Sequence, residues 1–143
     1  PMAAVNTFQV TELGPETAIA LKDYVEQGKW VVIAGDRTPI KSQGYVTHVP
    51  FLGEKAPFSL GPYLLAALLE CPVYLLFCQR EGRHHHLTFE KFAERIDMPR
   101  HDRRSQLKDY ARQFAVKLEE QTLRDPFQWY NFFDFWAPQR EAD

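Results

Sequence analysis

The stretch that most constrains this chain runs from residue 58 to residue 78: Phe-Ser-Leu-Gly, then Pro-Tyr-Leu-Leu-Ala-Ala-Leu-Leu-Glu, then Cys-Pro-Val-Tyr-Leu-Leu-Phe-Cys. Gly61 and Pro62 suit a helix start, because proline at the first helical position gives up an N–H that would be unpaired anyway. Leu64, Leu65, Leu68 and Leu69 recur at helical spacing. Pro72 cannot continue that helix, and residues 73–77 are apolar at every position, as in a strand covered on both faces. A helix therefore feeds a central strand. The loop at that helix's N-terminus is where backbone N–H groups and the helix dipole can meet an anion or a polarised oxygen.

The same pattern occurs once upstream. Residues 15–27 read as a helix with Ala18, Leu21 and Val25 on one face and Gly28 as its stop. Residues 30–34 form a second wholly apolar run, and residues 7–11 a short strand before the helix. Strand, helix and strand within so few residues imply a right-handed βαβ unit with parallel strands. Ligands gather beyond the carboxyl ends of such strands, which places Asp36 and Arg37, in Gly35-Asp36-Arg37-Thr38, on the favoured edge. A local Asx turn or an internal ion pair is the plainer reading of the same residues.

Residues 40–57 are rich in loop formers around a short strand at 45–49. Gly82 lies in a hairpin turn leading to a strand over residues 84–96, with Leu87 and Phe89 on one side and His84, His86 and Thr88 on the other. His84 and His86 share a face at chelating distance, yet no third ligand falls at a supporting spacing, so an exposed strand face is the preferred reading. Leu107, Tyr110, Ala111, Phe114, Ala115, Leu118 and Thr122 then mark a long amphipathic helix ended by Pro126. In residues 127–136, seven of ten side chains are aromatic. Such a segment is docked, either across the domain or at a lipid surface, with Phe135 and Trp136 outermost in a mixed arrangement.

The resulting expectation is an α/β fold: a three-layer-like mixed sheet with parallel central strands from βαβ units, an antiparallel hairpin strand and a long C-terminal amphipathic helix. The 143 residues make one domain. A formal charge of −2 and a single small basic cluster, Arg100, Arg103 and Arg104, argue against nucleic acid as a partner. Glu70 and Pro72 interrupt the greasy run and argue against a membrane span. Cys71 and Cys78, at opposite ends of one strand, cannot pair with each other and read as reduced thiols. No Walker loop, Gly-x-Gly-x-x-Gly or Gly-x-Ser-x-Gly occurs, nor any histidine followed five positions later by aspartate.

Four blocks carry a resemblance. They are Val31-Val32-Ile33-Ala34-Gly35-Asp36-Arg37-Thr38; residues 50–62, Pro-Phe-Leu-Gly-Glu-Lys-Ala-Pro-Phe-Ser-Leu-Gly-Pro; Cys71-Pro72-Val73-Tyr74; and residues 126–136, Pro-Phe-Gln-Trp-Tyr-Asn-Phe-Phe-Asp-Phe-Trp. In order and spacing they resemble the C-terminal half of the lysophospholipid acyltransferase superfamily, on the branch of the lipid A lauroyl and myristoyl acyltransferases. The resemblance implies transfer of a fatty acyl group from an acyl carrier protein or coenzyme A thioester to a lipid or glycolipid acceptor. No other cofactor is implied, and the full-length protein is expected to lie peripheral to the inner membrane on its cytoplasmic side.

Carried over residue by residue, Asp36, Arg37 and Thr38 match the second block, which helps bind acceptor. Phe58 and Gly61 match the ends of the third, where Ser59 and Leu60 depart from the Phe-Pro-Glu-Gly of glycerolipid enzymes. Leu64, Leu68 and Val73 are expected to line the acyl pocket. The family's general base, in His-x-x-x-x-Asp, has no counterpart, and the chain begins at Pro1. The expectation is therefore the C-terminal portion of a larger acyltransferase, inactive alone, with a homodimer covering any unpaired sheet edge. The alternative is a non-catalytic module that binds an acyl chain or carrier protein.

Overall fold

A computed structural model of the chain describes residues 15–38 and 45–136. The first helix, α1 (Pro15–Glu26), ends as its sequence demands. Gly28 takes φ 77°, its N–H donates to the Val25 carbonyl at 2.9 Å, and the Lys29 N–H donates to the Tyr24 carbonyl at 2.9 Å. This pairing satisfies two carbonyls that a helix end leaves without partners. Leu21 of α1 packs on Leu65 and Leu69 of the second helix, α2 (Gly61–Leu69).

Between them lies a hairpin of β1 (Val46–Phe51) and β2 (Glu54–Ser59), paired antiparallel with Phe51 opposite Glu54. Its turn residues Leu52 and Gly53 both take positive φ, 51° and 87°. That combination matches the right-handed twist of the flanking strands. The Leu52 N–H donates to Glu119 Oε2 at 2.5 Å, tying the turn to the last helix. A second hairpin joins β3 (Val73–Glu81) to β4 (His84–Ala93), and the helix α3 (Arg103–Arg124) follows. A 3₁₀ turn, Pro126–Gln128, leads into the aromatic segment.

The core forms where α3 lies on the first hairpin. Leu107, Ala111, Phe114, Ala115, Leu118 and Thr122 are buried, six of the seven positions the helical periodicity marks. Ala111 and Ala115 have no exposed surface, and their small side chains let Val49, Phe51, Ala56 and Phe58 pack closely against the helix. Phe135 returns from the chain end into this core.

The sheet differs from expectation. Both sheets are two-stranded and antiparallel, and no parallel pairing exists among the described residues. Residues 30–34 are not a strand: their backbone makes no hydrogen bond to other described backbone, and Val32 is 83% exposed. An apolar run signals a demand for burial but does not supply the neighbouring strand that would meet it. The loop-rich reading of residues 40–57 is corrected as well, since β1 extends to Phe51 and β2 follows at once. Pro50 and Pro57 fit because a two-stranded ribbon leaves each strand one open side. β4 stops at Ala93, short of residue 96. The strand expected at residues 7–11 lies outside the described residues.

Leu76 of β3 and Leu87 and Phe89 of β4 form an exposed apolar face, with Trp30 edge-on to Tyr74 and Phe89 at ring-centroid distances of 5.9 and 5.8 Å. No described helix is long and apolar enough to cross a membrane.

Candidate functional site

A cavity of about 710 Å³ lies between the extended residues 29–36, α2, β3 and the C-terminal half of α3. Its volume is in the range of small-molecule sites. Most of its wall is apolar: Val31 and Ile33 on one side, Leu65, Ala66 and Leu69 from α2, Val73, Leu75 and Phe77 from β3, and Phe114 and Leu118 from α3. Polar groups gather toward one end, where Gln79, Gln121, Thr122, Asp125 and Gln128 meet. Asp36 and Pro62, the neighbours of Arg37 and Gly61, both line this cavity. The acidic turn and the start of the leucine-rich helix thus share one trough.

The expected site residues divide between trough and scaffold. Val73 lines the cavity. Leu64 is half-buried against the main core, and Leu68 points outward at 50% exposure, so neither belongs to the cavity wall. Phe58 is a core residue, its ring packed edge-on against Phe114 and Phe135. The Gly61 N–H donates to Ser59 Oγ at 3.2 Å, and Pro62 has no N–H, so the start of α2 presents few donors to an anion. Thr38 Oγ1 donates to the Pro57 carbonyl at 3.1 Å, fastening the Asp36–Arg37 turn to β2.

Arg37 itself turns toward the aromatic segment. Its Nη1 donates to Asn131 Oδ1 at 2.8 Å, and its Cζ lies 5.2 Å from the centre of the Phe133 ring. Its Nε is 3.5 Å from Asp36 Oδ2. Both members of that ion pair are partly exposed, so it is weak and an incoming anion can displace it. The sequence missed Asn131 and Phe133 as partners of Arg37; its only signal was the aromatic density of the segment that carries them.

The aromatic segment is docked, but the other way round from the mixed arrangement expected. Phe135 is buried, at 3% exposure, and Trp136 is half-buried, while Phe127 and Phe132 are outermost at 93% and 90%.

Two titratable groups on the cavity wall are displaced from their ordinary values. Burial pushes the Tyr63 phenol far up, so it stays neutral, and the Cys71 thiol is also raised, chiefly by burial and against a lowering backbone hydrogen bond. Cys71 and Cys78 are both free thiols. All five histidines are exposed, and none lines the cavity. One of them, His85, has a carboxylate five positions on, at Glu90. On an extended strand an odd spacing puts the two on opposite faces, so they cannot act as a base with its orienting acid. Among the described residues no three His, Cys, Asp or Glu side chains converge to hold a metal.

Residues 15–137 match the family model described as bacterial lipid A biosynthesis acyltransferase. The chain belongs to this family. No curated protein and no solved structure matches it. Membership in the lipid A biosynthesis acyltransferase family makes acyl transfer the activity to test against the geometry. An acyl donor and a lipid acceptor are the partners it implies. The matched span contains the whole cavity, the Asp36–Arg37 turn and the whole aromatic segment.

Proposed function

We propose that this chain forms the acyl- and acceptor-binding part of an acyltransferase that moves a fatty acyl group from a carrier-protein or coenzyme A thioester to a lipid or glycolipid acceptor. The cavity shared by the Asp36 turn and the start of α2 carries this reading, in a chain of the lipid A biosynthesis acyltransferase family. Its apolar wall suits an extended hydrocarbon chain. Asp36 stands at its edge to accept a hydrogen bond from an acceptor hydroxyl or amine, and Arg37 beside it offers a cation to a phosphate.

Acyl transfer also needs a base for the acceptor and donors for the developing oxyanion. In this reading the base comes from outside these residues, and the isolated chain binds without turnover. The outermost aromatic rings, Phe127 and Phe132, suit contact with lipid headgroups and support placement at a membrane surface. The lack of any histidine at the cavity also supports a second reading, a module that holds an acyl chain or carrier protein without chemistry.

Titration of the 143-residue chain with a series of saturated fatty acids tests the cavity. Wild-type protein is expected to bind with a preferred chain length, and Ala66→Leu, which adds carbon to the cavity wall, is expected to weaken binding about tenfold. Absence of binding at every chain length removes the first reading and the acyl-chain form of the second. Binding accompanied by thioester-dependent acylation of a lipid acceptor by the isolated chain overturns the claim that the base lies elsewhere.

A further inference from the structure

The cation that the proposed reading assigns to a phosphate is not held by its own turn alone. Arg37 is gripped from a point 94 residues further along the chain by Asn131, whose Oδ1 accepts from Nη1, and it lies over the Phe133 ring. Asp36 takes the Nε side. The remaining Nη2 has no partner among the described residues. Asn131 and the Phe133 ring thus restrain the guanidinium, the weaker Asp36 contact lies on the Nε side, and Nη2 is left to donate.

The segment that supplies these contacts is itself anchored on both sides. At one end the Gln128 amide pairs with both backbone groups of Arg80 in β3: Oε1 accepts the Arg80 N–H at 2.5 Å and Nε2 donates to its carbonyl at 2.8 Å. Tyr130 then adopts φ 49°, a left-handed conformation that costs free energy in a residue with a Cβ, just before Asn131. Asn131 Nδ2 donates to the Phe133 carbonyl at 3.4 Å, which settles which end of its amide faces Arg37. At the other end Phe135 is buried against Phe51, Phe58 and Trp129.

We infer that residues 128–136 are a positioning strap for Arg37: Asn131 and Phe133 hold its guanidinium so that the Nη2 edge is presented to a substrate phosphate beside the cavity mouth at Asp36. This deepens the proposed function and rests on it. A free arginine surrenders its rotamers on binding an anion, whereas one held in advance does not, and that difference is about 3- to 10-fold in affinity for one such side chain. The phosphate belongs either to the thioester donor's pantetheine arm or to the acceptor's headgroup.

The test is a titration of the 143-residue protein with 4′-phosphopantetheine and, separately, with glucosamine 1-phosphate, followed by calorimetry and, in every protein that keeps the arginine, through the ¹⁵N–¹H signal of Arg37 Nη1, the nitrogen that Asn131 holds. In wild-type protein that signal is expected to be protected from exchange and to shift with one of the two probes, which identifies the phosphate's source. Arg37→Ala is expected to abolish binding. Asn131→Ala is expected to lose the protection and bind 3- to 10-fold more weakly, and Asn131→Asp, which keeps an acceptor at that place but adds a charge that neutralises Arg37, to restore the protection without restoring the affinity. Added to Arg37→Ala, Asn131→Ala is expected to have no further effect.

Wild-type binding that survives Arg37→Ala removes the role of Arg37 and the proposed reading with it. Loss of binding in Arg37→Ala alongside unchanged affinity in a folded Asn131→Ala leaves that reading standing and overturns the strap. If Asn131→Ala does not fold, Phe133→Leu decides the matter by the same affinity and protection measurements. Wild-type protein that binds neither probe overturns the inference.

Discussion

Replacing Phe51 with alanine is expected to loosen both the core and the C-terminal segment, and the size of the effect follows from the packing. The Phe51 side chain has no exposed surface. Its ring lies 5.6 Å from Phe58, 5.2 Å from Trp129, 5.5 Å from Phe135 and 6.2 Å from Trp136, centroid to centroid. Three of these four neighbours belong to the segment that returns from α3, so Phe51 is the hub on which that segment docks. A buried phenylalanine cut to alanine costs about 3–5 kcal/mol in lost transfer free energy and residual cavity. Against a total stability of about 5–15 kcal/mol, that is a substantial fraction. It corresponds to a fall in Tm of about 10–20 °C for a chain of this size.

Phe51→Leu keeps most of the buried carbon and loses the ring–ring contacts, so about 1–2 kcal/mol is expected. Urea denaturation followed by near-ultraviolet circular dichroism measures both, because Trp129 and Trp136 report directly on the docked segment. In a double-mutant cycle with Phe135→Leu, the coupling expected for a packed ring pair is about 0.5–1.5 kcal/mol. A cost below about 1 kcal/mol for Phe51→Ala, or a coupling indistinguishable from zero, would refute the claim that the segment is held by this ring cluster.

Gly35→Ala places a Cβ 3.2 Å from the Phe114 ring carbon Cζ, closer than such contacts normally run. A destabilisation of about 1–2 kcal/mol by chemical denaturation is expected, relieved when Phe114 is shortened to leucine. Tyr63 makes a prediction at alkaline pH. Burial raises its phenol above the ordinary value of 10.0, so the unfolded chain releases that proton before the folded one does. The stability this group contributes is complete below about pH 10. It is lost as pH rises from there toward the folded value, at up to about 1.4 kcal/mol per pH unit. Tyr63→Phe should therefore flatten the alkaline limb of the stability curve, and parallel curves for the two proteins would contradict this.

The helices were legible because their signals are local. The 3.6-residue recurrence from Leu107 to Thr122 and the stop at Gly28 each depend on residues within a few turns, and both elements fall within one or two residues of their expected limits. The arrangement of the sheets was not legible, because hydrophobicity shows which residues need cover and is silent about which strand provides it. Residues 30–34 and residues 73–77 look alike in sequence. Only the second has a β-hairpin partner, reached through the two-residue turn at Gly82. The β1–β2 hairpin was hidden for a different reason. Its turn uses Leu52 where asparagine or glycine is the usual occupant of a positive φ, and the contact that favours this placement, from Glu119, lies 67 residues away.

The site shows the same division between local and distant information. The turn that carries Asp36 and the start of α2 at Pro62 were both recognisable and both line one cavity, although the expectation rested on the carboxyl ends of parallel strands, which the described residues do not form. That result did not require the strands to be parallel. It required only that the stretch ending at Asp36 and the helix that opens at Pro62 border the same cavity. What controls the cation beside the trough is a contact across 94 residues, between the side chain that the sequence singled out and an asparagine in a run read only for its aromatic rings. Among those rings, Asn131 is one of the few side chains that can accept a hydrogen bond from a guanidinium without adding charge. Arg37 therefore keeps its full positive charge for an external anion, apart from what the exposed, easily displaced Asp36 contact takes up. A carboxylate in place of Asn131 would hold the arginine at least as firmly and would also neutralise it. The choice of a neutral acceptor is thus what a chain needs if Arg37 is to be both fixed and available.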